Sequence, residues 1–210
     1  TIKKRIILNR VTPILLKAGV PHGLQHAGKL NQGAIDALTL MVEILMANKL
    51  SPLILHALDL SKAFDRANRD ILFHKLNKLG LKGKLWKAIL STYSHSITQI
   101  LIGALRSKPF QLPNGIKQGS FLSTILFIVL LHDLLIQLRS TNLGPRFNGN
   151  NYPASCFVDD LNLLASSTKD FTTLLDKATT YLAVNGCVIN HSKDESAHHR
   201  LAAGLSHLIQ

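Results

Sequence analysis

The sequence predicts an α+β domain. Its 210 residues are 46% hydrophobic and 17% charged, which provides a sizeable core and excludes an intrinsically disordered chain. Helix-type and strand-type apolar patterns follow one another without regular β-α-β spacing. Two apolar runs, residues 152–158 and 161–166, are separated by only two residues and therefore predict an antiparallel hairpin. Together these observations favour the α+β class.

The first part of the chain is predicted to form two helices and then a buried strand. Residues 3–18 carry apolar side chains at helical spacing, and Pro13 should kink or split that helix. Residues 34–49 carry a second apolar stripe and end at a serine-proline breaker. Residues 53–58 are a short apolar run beside this breaker, which favours a buried strand that stops at Asp59.

The middle of the chain is predicted to hold two helices, a strand pair and a long central helix. Residues 67–79 and 84–95 have helical periodicity, with Asp65 as the expected N-cap of the first. Residues 97–103 and 108–113 resemble a pair of strands. Residues 120–139 are almost entirely apolar, which predicts a helix in the centre of the core.

The last part of the chain is predicted to contain the hairpin, one helix and a short strand. The hairpin consists of residues 152–158 and 161–166, with Asp159-Asp160 between its strands. The helix covers residues 167–183 and begins with a capping-box pattern. Residues 186–190 form the final strand.

The charge balance favours an anionic partner. The 24 lysines and arginines outnumber the 12 acidic residues, giving a net charge of +12, and nucleic acid is the first candidate. An ordinary basic protein is the alternative. A basic run follows the first strand and either tracks a nucleic-acid backbone or faces solvent; it consists of Arg66, Arg69, Lys75, Lys78, Lys82, Lys84 and Lys87.

Cysteine usage and termini indicate an intracellular fragment. Two cysteines exclude a disulfide scaffold and favour a reducing compartment, hence nucleus or cytoplasm. The chain begins at Thr1 without a cleavage signal, as expected of an excised piece. The longest apolar stretch, residues 121–131, is shorter than the roughly 20 residues of a membrane span, so we expect no membrane partner.

Adjacent carboxylates are unexpected at the tip of an apolar hairpin. Asp159-Asp160 places two like charges beside apolar strands, which is costly unless a cation neutralises them. Asp59 follows another buried strand, and neighbouring strands would bring all three carboxylates together. Mg²⁺ is typically held by one or two carboxylates and substrate phosphates, and paired ions serve phosphoryl transfer. A solvated turn and a nuclease site are the alternatives.

Several segments resemble reverse transcriptases of the non-LTR retrotransposon type. Asp59-Leu-Ser-Lys-Ala-Phe-Asp65 looks like motif A of that family, and Gly115-Ile-Lys-Gln-Gly119 with the helix start after it looks like motif B. Phe157-Val-Asp-Asp160 looks like motif C, and residues 186–193 look like motif D. The resemblance covers about residues 20 to 195. It implies a right-hand polymerase fold, with a small antiparallel palm sheet backed by helices.

The resemblance also implies metal ligands and a reaction. Asp59 and Asp159 would bind two Mg²⁺ ions, for which Mn²⁺ can substitute, and Asp160 would help to hold the site. A DNA primer 3′-hydroxyl, annealed to an RNA template, would attack a deoxynucleoside triphosphate. Lys193 would protonate or neutralise the departing pyrophosphate.

The remaining candidate residues would contact substrate. Phe64 stands where the family has its steric gate against ribonucleotides, with core packing as the alternative. Gln118 and Gly119 would approach the template or nucleotide. Lys62 would bind phosphate or face water. Lys29 lies near a segment that binds triphosphate in the family, where a lysine supplies a single charge in place of the two parallel hydrogen bonds of an arginine.

The resemblance further implies a domain division and leaves alternatives open. Residues 1–52 would be partial fingers, and residues 53–210 a palm with inserted segments and no thumb. Thr124 and His132 depart from the family pattern. A catalytically decayed RNA-binding remnant and a group II intron maturase-like reverse transcriptase remain alternatives to an active retroelement polymerase. The oligomeric state is left open.

Overall fold

The structure is a computed structural model that describes residues 2–29, 32–94, 97–119 and 121–190. The helices are α1 (Ile2–Lys17), α2 (Ala34–Ala47), α3 (Ala63–Arg66), α4 (Arg69–Lys78), α5 (Gly83–Ser94), α6 (Phe121–Arg139) and α7 (Thr168–Val184). The strands are β1 (Ile54–Leu58), β2 (Leu60–Ser61), β3 (Ile97–Thr98), β4 (Leu101–Ile102), β5 (Leu105–Arg106), β6 (Phe110–Gln111), β7 (Arg146–Phe147), β8 (Asn150–Asn151), β9 (Ala154–Phe157), β10 (Asp160–Ala165) and β11 (Val188–Ile189).

A three-stranded antiparallel sheet forms the centre of the fold. Its strand order is β1-β10-β9, so β10 pairs on both sides. Helix α7 packs on β10, and α6 contacts β9 and α7. The short strands β2 and β11 pair beside this sheet. The predicted α+β class, with a small antiparallel sheet backed by helices, is therefore confirmed.

Helix α6 is the core of the domain. Side chains around its whole circumference are buried, among them Leu126, Phe127, Leu130 and Leu134, each 0% exposed. The helix is long and apolar enough to cross a membrane by length and composition, yet 67% of its most apolar window is buried inside the fold. That packing is the pattern of a central helix in a folded domain, as the sequence predicts.

Two differences from the sequence prediction concern helix and hairpin boundaries. The predicted helix 67–79 is α4, and its N-cap is Asn68, whose side chain accepts hydrogen bonds from the backbone N–H groups of Asp70 and Ile71. The prediction that Asp65 is an N-cap is wrong, because Asp65 lies inside the short helix α3. In the hairpin, Asp160 pairs with Phe157, so the turn consists of Val158 and Asp159.

One strand pair differs from its prediction, and the structure shows how the α2 stripe packs, which the sequence left open. The predicted strand pair 97–103 and 108–113 is divided, since β3 pairs with β6 and β4 pairs with β5. The apolar stripe of α2 faces solvent, with Ile35 80% and Leu38 65% exposed. Only periodicity was available to place that stripe, and periodicity identifies a face without identifying what covers it.

Candidate active site

Three aspartates lie at one edge of the central sheet. Strand β1 ends at Leu58, which is paired with Leu161 of β10. Asp59 follows Leu58 in the chain, and Asp160 precedes Leu161. The two aspartates therefore flank the same cross-strand pair, and Asp159 lies next to them in the turn. The predicted convergence of two strand ends is present.

The charges of Asp59 and Asp160 act on the carboxyl group of Asp159. The pKa of Asp159 is raised above its usual value, chiefly because its carboxyl group is partly buried. A backbone hydrogen bond lowers this pKa, whereas the charges of Asp160 and Asp59 raise it further. When burial and like-charged neighbours raise the pKa of a carboxyl group, a nearby cation stabilises its ionised form. This edge of the sheet is thus suited to a positively charged ligand.

The donor set fits a metal ion that arrives with its substrate. Across the described residues, no three His, Cys, Asp or Glu side chains come together as a ready-made metal site. Mg²⁺ is usually bound by one or two carboxylates together with substrate phosphates and water, and seldom by an all-protein cage. The aspartates at the sheet edge are oxygen ligands of the right kind for that mode of binding.

A contact from the end of the described chain holds Asp59. The Asn190 side-chain amide donates to Asp59 Oδ2 at 3.1 Å, and the Asn190 backbone N–H donates to the Asp59 carbonyl oxygen at 2.8 Å. Pairing of Ile189 with Leu60 continues the same connection. The sequence places Asn190 in a motif-like segment but does not show its contact with Asp59.

The segment after Asp59 places Lys62 and Phe64 near this edge. Lys62 is exposed and adopts a left-handed backbone conformation with φ +49° at the start of α3. The Phe64 ring is partly exposed and stacks on Phe127 of α6, with ring centroids 4.7 Å apart. The steric-gate role of Phe64 stays a prediction, and the packing on Phe127 fixes the position of the ring.

The loop before α6 is attached to the segment that follows Asp59. The Gly115 N–H donates to the Ala67 carbonyl at 2.9 Å, and the Ile116 N–H donates to the Phe64 carbonyl at 2.6 Å. Gln118 and Gly119 follow this attachment and are exposed, and Gly119 has open space around its Cα. The attachment brings two of the predicted substrate-contact segments together.

Several predicted basic contacts have other partners in the structure. Arg69 is 8% exposed, and its guanidinium donates to the carbonyl oxygens of Gly115 and Leu112. Lys75 donates to the Leu130 carbonyl at 2.8 Å and forms an ion pair with Asp133. The prediction that these two side chains track a nucleic-acid backbone is therefore wrong, because both are committed to contacts within the protein.

The two remaining lysine predictions have different outcomes. Lys29 is partly exposed, and its ammonium donates to the Gly23 carbonyl at 3.1 Å. Burial lowers the pKa of Lys29 below its usual value. Its predicted contact with phosphate stays a prediction. Lys193 lies outside the described residues.

One buried residue that the sequence does not single out contacts the turn between β9 and β10. Gln25 is 0% exposed, and its side chain forms hydrogen bonds with both backbone groups of Val158, the residue before Asp159. A single glutamine far away in the chain carries no recognisable pattern, so only the folded structure shows this contact.

Comparisons with known proteins point to one family. A family model described as "Reverse transcriptase (RNA-dependent DNA polymerase)" matches residues 3–202. The chain is 28% identical over 151 residues to a Pol polyprotein of the type-1 retrotransposable element R2 of Popillia japonica, which covers 71% of this chain and 25% of that protein. It is 30% identical over 136 residues to the Pol polyprotein of element R2DM of Drosophila melanogaster, covering 65% and 13% respectively. The chain therefore spans a quarter or less of the length of these two relatives.

Solved structures show a similar fold. Apo telomerase from Candida tropicalis, truncated from its C-terminal domain, matches with a TM-score of 0.64 at 19% identity, covering 90% of this chain and 39% of that one. Telomerase from Candida albicans, in complex with a fragment of telomeric RNA, matches with a TM-score of 0.56 at 13% identity, covering 90% and 33%. At these identities the likeness concerns the fold.

Proposed function

Because the chain belongs to the reverse transcriptase (RNA-dependent DNA polymerase) family, and to its non-LTR retrotransposon type, we propose that it is an RNA-directed DNA polymerase domain. It transfers a deoxynucleotide to a primer 3′-hydroxyl on an RNA template. Its partners are RNA template, DNA primer and deoxynucleoside triphosphate. The convergence of Asp59, Asp159 and Asp160 at one sheet edge of a domain with net charge +12 carries the proposal.

Members of this family generally use divalent metal ions. In this chain Asp59 and Asp159 are the proposed ligands of two Mg²⁺ ions, with Mn²⁺ as a substitute, and Asp160 supports them. When bound, such ions stabilise the attacking and leaving oxygens of phosphoryl transfer. Asn190 orients the Asp59 carboxylate through its side-chain amide, and the partial burial of Asp159 strengthens its attraction for a cation.

The surrounding residues receive roles from their positions. Phe64, fixed by Phe127, is the proposed steric gate, since a ring beside the incoming sugar excludes a 2′-hydroxyl. Gln118 and Gly119, on the exposed loop before α6, are proposed to meet the template or nucleotide. An unobstructed glycine lets a nucleic-acid strand approach the backbone closely.

Three lysines supply positive charge in this proposal. Lys62 is exposed next to the Asp59 strand and is proposed to bind phosphate. Lys29 is a secondary candidate for the same task, because it already donates to the Gly23 carbonyl. Lys193 is proposed to protonate or neutralise the leaving pyrophosphate.

The domain division and location are also proposals. Residues 1–52 correspond to partial fingers and residues 53–210 to a palm with inserted segments. An intracellular location, in nucleus or cytoplasm, is supported by Cys156 and Cys187, which are both buried free thiols. Burial raises the pKa of these thiols to about 12 and about 11, which keeps them protonated and unreactive.

A catalytically decayed RNA-binding remnant is the second candidate. It is favoured by Lys29, which lacks the arginine fork and already donates one of its three N–H groups to the Gly23 carbonyl. Such a remnant would bind RNA without needing its carboxylates. Metal-dependent chemistry separates the two candidates.

Single-nucleotide primer extension tests the proposed function. The chain is given a DNA primer annealed to an RNA template, one deoxynucleoside triphosphate, and Mg²⁺ or Mn²⁺. We expect metal-dependent extension that Asp159→Ala slows by more than about 100-fold, because losing a ligand should exceed the ~10–100-fold effect of losing a second-shell partner.

The matched control is Asp176→Ala, which removes an exposed carboxylate of α7. This variant should extend the primer at the wild-type rate. Equal extension by Asp159→Ala and Asp176→Ala would contradict the assigned site. RNA binding without any extension, unchanged in Asp159→Ala, would favour the remnant.

A further inference from the structure

The Gln25 side chain forms hydrogen bonds with both the N–H and the carbonyl group of Val158. Its Oε1 atom accepts hydrogen bonds from the N–H groups of Val158 and Ala27, both at 3.0 Å. Its Nε2 group donates to the Val158 carbonyl at 3.2 Å and to the Cys156 sulfur at 3.2 Å. One fully buried amide therefore satisfies the donor and the acceptor of the residue that precedes Asp159.

Val158 has a backbone conformation that needs support. Its φ is +58°, in the left-handed region, which β-branched residues rarely adopt. Such conformations persist only where the surrounding structure holds them, and they are concentrated at functional sites. Because Val158 and Asp159 form the two-residue turn of the hairpin, the conformation of Val158 determines where the Asp159 carboxylate lies.

The backbone around Gln25 is attached to the hairpin independently of its side chain. The Cys156 N–H donates to the Leu24 carbonyl, and the His26 N–H donates to the Cys156 carbonyl, both at 2.9 Å. These bonds add the segment to the free edge of β9 as a parallel bridge. A change at the Gln25 side chain should therefore alter the turn while the segment stays in place.

We propose that Gln25 is a positioning residue that holds the Val158–Asp159 turn in the conformation from which Asp159 binds a divalent metal ion. The inference rests on the proposed polymerase function and adds to it a residue to which the resemblance assigns no role. A purely structural role is the competing explanation, because a buried amide that satisfies backbone groups also stabilises the fold. The two explanations differ in what happens to metal affinity.

Mn²⁺ binding to the full chain, followed by electron paramagnetic resonance, tests the proposal. The variant is Gln25→Met, which keeps the side-chain length and removes all four hydrogen bonds. The control is Asn185→Leu, since Asn185 is 3% exposed and its amide donates to the Tyr181 carbonyl at the end of α7. Asp159→Ala shows what loss of the ligand itself produces.

We expect Gln25→Met to weaken Mn²⁺ binding about tenfold or more, in the range seen for residues that orient metal ligands. Asn185→Leu should bind Mn²⁺ as the wild type does, even if it lowers the melting temperature as much as Gln25→Met does. Equal Mn²⁺ affinity in Gln25→Met and Asn185→Leu would overturn the positioning role. If Gln25→Met does not fold, Gln25→Asn decides in the same way, because it keeps both polar groups and withdraws them by one methylene.

A rescue variant isolates the turn as the cause. Glycine adopts positive φ without strain, so Gln25→Met should lose less Mn²⁺ affinity in a Val158→Gly background than in the wild type. An equal loss in both backgrounds would contradict the idea that Gln25 holds Val158. Primer extension by the same proteins separates the polymerase proposal from the positioning proposal. If the wild type binds Mn²⁺ through Asp159 but extends no primer, the polymerase function is contradicted and the positioning role of Gln25 is not.

Discussion

Gly115 occupies a position that leaves no space for a side chain. Its φ is +92°, and a Cβ atom built on it would lie 2.5 Å from the Asp65 carbonyl oxygen. The neighbouring atoms are backbone, so they cannot rotate away as a flexible side chain would. The close approach lets the loop before α6 bond to the segment after Asp59, and both loops carry predicted substrate contacts.

Gly115→Ala should therefore be strongly destabilising. We expect a loss of about 2–4 kcal/mol in the free energy of unfolding, from the left-handed backbone of a non-glycine residue and from overpacking. The control is Gly103→Ala, which has φ +59° and nothing within 4 Å of the added Cβ. It should lose only about 1–2 kcal/mol. Urea unfolding of both variants checks this, and equal losses would refute the packing argument.

At the residue scale, the sequence was informative where the chemistry is unusual. Asp59, Asp159 and Asp160 could be selected because a basic, apolar chain rarely places carboxylates at strand ends. The contacts of Gln25 with Val158 and of Asn190 with Asp59 could not be predicted, since these partners lie 133 and 131 residues away along the chain. Long-range hydrogen bonds leave no periodic pattern, and neither amide stands in an unusual local composition.

Among the elements, helix α4 begins after its N-cap Asn68, and not after Asp65, where the motif A-like segment ends. The Asn68 Oδ1 atom accepts from the Asp70 N–H at 3.0 Å and from the Ile71 N–H at 3.2 Å. We expect Asn68→Ala to lower the free energy of unfolding by about 1 kcal/mol, the usual effect of removing an N-cap. Urea unfolding measures this change.

Asp65→Ala is the matched comparison for the same measurement. Asp65 is exposed inside α3, and alanine favours helix, so its replacement should change stability by less than about 0.5 kcal/mol. A larger loss for Asp65→Ala than for Asn68→Ala would restore Asp65 as the effective cap.

Elements with strong periodicity were predicted well. The helices α6 and α7 and the strands β1 and β10 form close to the expected positions, because their apolar side chains determine both the element and its buried face. The hairpin turn was misplaced by one residue, since Val158 is a poor turn residue by propensity and the structure supports it through Gln25. Tertiary contacts overrode local preference there.

For the molecule as a whole, buried and half-buried histidines should set the response to acid. The pKa of His22 is lowered to about 4 by burial and by the charges of His132, Arg139 and Lys29. Burial also lowers the pKa values of His26 and His132. Unfolded histidine titrates near 6.5, so below that pH the unfolded chain binds protons that the folded chain does not.

The free energy of unfolding should consequently decrease as the pH falls from about 6.5 towards 4. The raised pKa of Asp159 increases the free energy of unfolding as the pH falls, but this is one group opposing the three histidines. We expect the melting temperature to fall by a few degrees between pH 7 and pH 5, since about 1 kcal/mol corresponds to ~2–4 °C in a domain of this size.

Thermal unfolding of the double variant His22→Gln with His132→Gln checks the cause. This variant should show a flatter pH dependence than the wild type. The single variant His74→Gln, which replaces an exposed histidine, should keep the wild-type dependence. A melting temperature that stays constant from pH 7 to pH 5 in the wild type would contradict the assignment.

The overall architecture was predictable because several independent signals agreed. The long apolar helix indicated a central core helix, the strand-ending carboxylates indicated a metal-dependent site, and the ordered motif-like segments resembled a reverse transcriptase, which the family match over residues 3–202 confirms. The exposed stripe of α2 and the divided β3–β6 ribbon were not predictable. Their packing depends on surfaces that local sequence patterns do not specify.

The strand order has a consequence for how the protein is synthesised. Asp59 receives its sheet neighbour only when β10 has been made, and its Asn190 contact only when a residue 131 positions later has been added. Pairings of such long range close slowly, so the nascent chain carries its first carboxylate strand unpaired at least until β10 has been made. A ribosome that stops before β11 would release a chain in which the described helices and the central sheet are encoded but the Asn190 contact that holds Asp59 is missing.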